Sequence, residues 1–122
     1  MTQEEITEGN KLIANFWCGW KEGELFTYPN GGKGWIYSNM QEVKFHSSWD
    51  WLMPVVEKIN NLGAFEFTIY NRQGIIWSAK YDFTPLGASK RYLISASAPT
   101  TLEAVWLTVI DFIKWYNQNI KQ

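Results

Sequence analysis

The sequence predicts an α+β fold, and two periodicities and the point where one gives way to the other predict it. Apolar residues recur at helical spacing in three stretches, and between the second and third of these they alternate with period two instead. The expected architecture is a single α+β domain over residues 1–122. In it an antiparallel β-meander of three to five strands is packed by two or three helices, the last of them long and C-terminal.

The first helix is expected between Thr2 and Gly19. Ile6, Ile13, Phe16, Trp17 and Trp20 share a face, and Glu4, Glu8, Lys11 and Asn15 lie opposite. Thr2 with Glu5 three residues on forms a capping box, and Gly19 is a natural stop. A second stripe runs through Leu52, Val55, Val56, Ile59 and Leu62, after Ser47 and Ser48, which suit an N-cap, and before Gly63. Pro54 lacks an N–H, so the regular helix is expected only from about Pro54, with a kinked turn over Trp49–Met53. The third helix opens at Thr100 with Glu103 as its capping partner, and Leu102, Val105, Trp106, Val109, Ile113, Tyr116 and Ile120 share its apolar face. Glu103, Asp111, Lys114 and Gln118 face water on the other side, with Leu107 and Trp115 among them. Two large apolar groups on a polar face ask for a partner.

Phe65, Phe67 and Ile69 alternate with Ala64, Glu66, Thr68 and Tyr70; Ile75, Trp77, Ala79, Tyr81 and Phe83, after the turn at Asn71–Gly74, alternate with Ile76, Ser78, Lys80 and Asp82. A third strand at about Lys90–Ser95 completes the meander, and the third helix is expected to cross it. Upstream, Leu25–Tyr28 and Trp35–Ser38 flank a glycine-rich segment and form a candidate short hairpin.

Composition narrows the function classes. Eleven Lys and Arg against twelve Asp and Glu leave a net charge of −1, so generic nucleic-acid binding lacks its electrostatic drive. No apolar run approaches the roughly 18–20 residues of a membrane span, and Glu4 and Glu5 are the wrong sign for a secretory signal; the expectation is no membrane and a cytoplasmic location. The single Cys18 supplies neither a disulfide nor a thiolate-rich metal site, and no cofactor is expected. Eight Trp, six Tyr and seven Phe exceed what a core this size needs, so some rings are expected to line a binding surface.

The block Phe45–Ile59, together with Glu103–Val105 and Asp111–Asn117, resembles a family of small phage- and prophage-encoded proteins of Bacteroidetes. These carry an HxSWDWLMPVVEKI block and a C-terminal FIKWYN segment. Asn10–Ala14 is similar to that family's opening helix. The resemblance covers about a third of the chain and brings no activity, cofactor or site residue with it. It implies a phage accessory setting, in which the partner is a host protein such as an antiviral nuclease or its RNA complex and the location is the infected cell's cytoplasm.

Catalytic readings are outweighed by structural ones. His46, Ser47, Ser48 and Asp50 contain triad residue types, but four residues crowded at one turn do not converge as separated triad members do. Cys18 with His46 would be a nucleophile pair, yet Cys18 falls at a helix C-terminus, where the dipole opposes a thiolate; a buried structural thiol is expected. The expectation is therefore a non-enzymatic, anti-defence binding protein whose partner surface comprises Trp115, Leu107, Asp111 and Lys114. The alternative is a module that sequesters a nucleotide signal, using Tyr28, Lys33, Trp35, Tyr37, Trp49 and Trp51 as stacking and phosphate-holding groups. A third reading is a homodimer without ligand.

Overall fold

In a computed structural model the chain is described over residues 1–29, 31–36, 40–62, 65–72, 76–84 and 90–120, without the side chains of Phe65 and Arg72. The elements are α1 (Gln3–Cys18), β1 (Phe26–Thr27), β2 (Lys33–Gly34), α2 (Trp49–Asn60), β3 (Phe65–Arg72), β4 (Ile76–Phe83), β5 (Tyr92–Ala98) and α3 (Thr101–Asn119). This is the expected α+β architecture, with two antiparallel sheets: β1-β2, and β3-β4-β5 as a meander. Among the described residues no helix is long and apolar enough to cross a membrane.

Both threonine N-caps form. The Thr2 and Thr100 hydroxyls accept from the Glu5 and Glu103 amides at 3.1 and 3.2 Å, satisfying N–H groups that the first turn leaves without an intrahelical partner. Gly19 ends α1 in the left-handed conformation, φ 73°, its amide returning to the Asn15 carbonyl. The last turn of α1 holds no basic residue of its own. Lys58 of α2 serves instead, its ammonium donating to the Phe16 and Trp17 carbonyls at 2.8 Å each and lying over the Phe16 ring.

Three local expectations are corrected. First, α2 begins at Trp49, because the Trp51 and Leu52 amides already close onto the Ser48 carbonyl before Pro54 is reached. Pro54 removes one internal bond, and burial of Leu52, Val55, Val56 and Ile59 offsets it. Ser48 holds the N-cap position, but its side chain makes no cap bond. Second, the early hairpin is shorter than expected, with Phe26 opposite Gly34 and Thr27 opposite Lys33. Its turn closes directly after Tyr28, through Gly31 at φ 94°, so the return strand lies inside the glycine segment; positions 37–38 lie outside the described residues. Third, β5 runs on to Ala98, opposite Trp77, past the Ser95 limit. Its small residues carry little strand signal, yet they let α3 lie close on the sheet.

In the main sheet Trp77, Ala79, Tyr81 and Phe83 point to the same side as Phe67 on β3 and Ile94 on β5, and α3 covers that side. The Thr108 hydroxyl lies 2.8 Å from the Ala104 carbonyl and 3.1 Å from the Ala79 carbonyl, pinning α3 to the central strand. On its far side α3 meets α1 and α2. A helix packed on two sides cannot keep a single stripe, and so Ala104, Val105, Trp106, Thr108, Val109, Ile110, Phe112 and Ile113 are all buried.

Candidate functional site

The expected partner surface divides when the side chains are placed. Trp115 belongs to the core boundary, contrary to expectation. Its ring packs 4.7 Å from that of Phe83, 5.4 Å from Tyr92 and 5.9 Å from Phe112, because β4 and β5 reach beneath the C-terminal half of α3. Its indole N–H is buried without a hydrogen-bond partner, which is a cost of that packing. Leu107, Asp111 and Lys114 stay together on the other side, lining a groove of about 570 Å³ between α1 and α3.

The aromatic surplus is likewise corrected. Among the described rings only those of Trp35 and Trp49 are exposed; the rest are buried or half-buried. One group surrounds Phe112, and a second joins Phe26, Tyr28, Phe45 and Trp51, where Trp51 stacks on Phe26 at 5.9 Å with 7° between planes.

The groove is built by a close helix crossing. A Cβ added at Gly9 would sit 2.4 Å from a Trp106 ring carbon and 2.5 Å from the Ile110 methyl, so only glycine lets α1 approach this near. The floor is Leu12, Trp106, Leu107 and Ile110, and the rim carries Glu4, Glu5, Glu8 and Asp111 against Lys114. Burial holds the Asp111 carboxyl above the usual aspartate range, with the Lys114 ammonium pulling it back down. Glu5 is engaged by the cap, Thr2 donating to it. Glu8 makes only a 3.7 Å contact with Lys11, which lies closer to Glu22 at 3.2 Å.

Directly behind the floor runs a polar relay. The Trp106 indole, which can only donate, gives its proton to the Asn10 side-chain carbonyl at 2.9 Å. This orients the fully buried amide so that its NH2 group faces His46 Nδ1, also at 2.9 Å. His46 must therefore be neutral with its proton on Nε2, and burial lowers its pKa. None of the described hydrogen bonds joins His46 to Ser47, Ser48 or Asp50.

The residues of the alternative site separate. Tyr28 and Trp51 line a cleft of about 360 Å³ with Pro29, Lys44, Ser48 and Asp50, whereas Lys33, Trp35 and Trp49 are exposed outside its lining and Tyr37 lies outside the described residues. Cys18 is exposed at the end of α1, not buried as expected; the helix turns it outward beside Gly19. Among the described residues no group of three His, Cys, Asp or Glu side chains is placed to hold a metal ion.

Sequence reasoning missed Glu4, Glu8, Leu12 and Ile110 as groove residues and Asn10 as a buried link. One signal was present: Gly9, a glycine inside a helix, which costs helical stability unless a neighbour must come close.

No family model, curated protein or solved structure matches the chain.

Proposed function

We propose that this chain is a non-enzymatic binding protein whose working surface is the α1/α3 groove and whose partner is another protein. One observation carries the reading: a concave strip with an apolar floor stays uncovered beside a helix that is otherwise enclosed on two sides. Three residues expected at a partner surface, Leu107, Asp111 and Lys114, line it together. The resemblance of the Phe45–Ile59 block to phage-encoded proteins supports a host protein as the partner. An antiviral nuclease or its RNA complex, met in the cytoplasm of an infected cell, is the class proposed.

The experiment is paired capture from host lysate with the wild-type chain, a Leu107→Asp variant and a Trp35→Ala variant. A host protein retained by the wild type and by Trp35→Ala, and lost by Leu107→Asp, is the expected result. Equal retention by all three overturns the assignment of the surface.

A second reading rests on the Tyr28/Trp51 cleft, whose lining combines two aromatic rings with Lys44 and Ser48, beside the Asp50 carboxylate. A planar phosphorylated ligand would raise the melting temperature by binding only the folded chain. A panel of mononucleotides and cyclic nucleotides that leaves the melting temperature unmoved sets this reading aside.

A further inference from the structure

We infer that the occupant of the α1/α3 groove is a cationic amphipathic helix of the partner protein; this deepens, and rests on, the reading of the groove as a protein-binding surface. The chain as a whole is nearly neutral, yet this strip gathers Glu4, Glu5, Glu8 and Asp111 with Lys114 as the single counter-charge in its lining. Glu4 and Glu5 have a local reason to be there, since carboxylates favour the positive end of α1. Asp111 has none. It sits in the interior of α3, far from either end, beside Ile110 and one turn on from Leu107. Its carboxylate stands against apolar side chains with Lys114 of its own helix as the one cation in the lining, and it gains when a second cation arrives. Glu8 is solvent-exposed and only loosely held by Lys11 at 3.7 Å, since Lys11 lies closer to Glu22 at 3.2 Å, so its charge is open to a cation of the partner.

The groove also selects for secondary structure. Its walls are two helices, whose backbone groups are already paired within themselves, so an extended peptide would find no strand edge on which to place its own amides and carbonyls. A helix satisfies its backbone internally and brings a stripe of apolar side chains to Leu12, Leu107 and Ile110, leaving Lys or Arg on its flanks to reach Glu8 and Asp111. A second copy of this chain is a poor occupant, since it would bring the same carboxylates face to face.

The test uses the full chain and three synthetic peptides of equal length, read by fluorescence anisotropy. The first repeats Leu at i, i+3, i+4 and i+7 with Lys elsewhere; the second replaces every Lys with Glu; the third scrambles the first. The Lys helix is expected to bind at least about tenfold more tightly than either of the others, and more weakly as salt rises. Asp111→Asn with Glu8→Gln is expected to weaken it about tenfold, whereas Glu24→Gln with Glu57→Gln, exposed carboxylates outside the groove, leaves it unchanged. Binding that favours the Glu helix, or that responds equally to both pairs of substitutions, overturns the cationic occupant. If that binding is still lost on Leu107→Asp, the groove reading survives. If no peptide responds to Leu107→Asp, both fall. Self-association in sedimentation that Leu107→Asp abolishes would overturn the partner helix in favour of a second copy.

Discussion

Leu107 and Trp115 lie about two turns apart on α3, and by sequence both are apolar intruders on its polar side. The structure treats them oppositely. β4 and β5 extend under Trp115, and Phe83 and Tyr92 close on its ring, while Leu107, half-buried against the core, lines the open groove beside α1. The difference teaches that helical phase identifies a residue out of step with its face, but not what waits for it. Trp115 met a sheet; Leu107 met a valley between helices.

Substitutions can break that comparison. Trp115→Ala should cost about 2–4 kcal/mol in urea unfolding, as truncation of a packed aromatic does, and leave partner capture intact once the chain is folded. Trp115→Phe should cost far less, because it also removes the buried N–H that has no acceptor. Gly9→Ala comes next. The helix gains about 1 kcal/mol of propensity, but the methyl must displace Trp106 and Ile110, so a net loss of about 1–2 kcal/mol is expected, with weaker binding because the groove is widened. A stabilised Gly9→Ala chain would show that the crossing is looser than its distances imply.

The relay behind the groove gives a pH dependence of fixed sign. His46 in the unfolded chain titrates near 6.5, and burial lowers that value in the fold. Between the two values the unfolded chain holds the extra proton, so this contribution to stability is complete above about 6.5 and is lost as pH falls through the folded value. The cause is geometric as well as electrostatic. A protonated Nδ1 would confront the Asn10 amide, and rotating that amide would turn its NH2 onto the Trp106 N–H. Urea midpoints measured from pH 7.5 to 5 should show the decline, and a His46→Leu chain, less stable at neutral pH, should lack it. Asn10→Asp sharpens the point: a carboxylate accepts from both neighbours, so the decline should move to lower pH or vanish. The smallest effect on stability belongs to Leu107→Ala, about 0.5–1.5 kcal/mol, since its side chain is only half-buried. If it cost as much as Trp115→Ala, the contrast between the two sides of α3 would be lost.

How much of this was legible beforehand follows the range of the interactions. Caps, helical stripes and strand alternation are local, so Thr2, Gly19, Thr100 and the alternation that carries the meander could be read directly, whereas the turn expected from Asn71 was not, since β3 stays paired through Arg72 opposite Ile76. Pro54 misled because its cost is local while its compensation, the buried face of α2, is not. The groove was half legible. Leu107, Asp111 and Lys114 announce themselves on one helix, but Glu8 and Leu12 matter only because α1 comes alongside, and that approach is written in one hydrogen-sized side chain at position 9. The aromatic count pointed outward where almost all of the described rings are buried or half-buried, since a composition records how many rings exist and not how many neighbours each will find.

Lys58 makes a last point about assembly. Two carbonyls at the end of α1 are served by an amine from a helix some forty residues later, so the first helix borrows its terminus from a segment that must already have docked. A peptide covering only the first helix should fray over its final turn. In the whole chain that amine should be among the slowest to react with acylating or methylating reagents, and its reactivity would report, lysine by lysine, whether the two helices have come together.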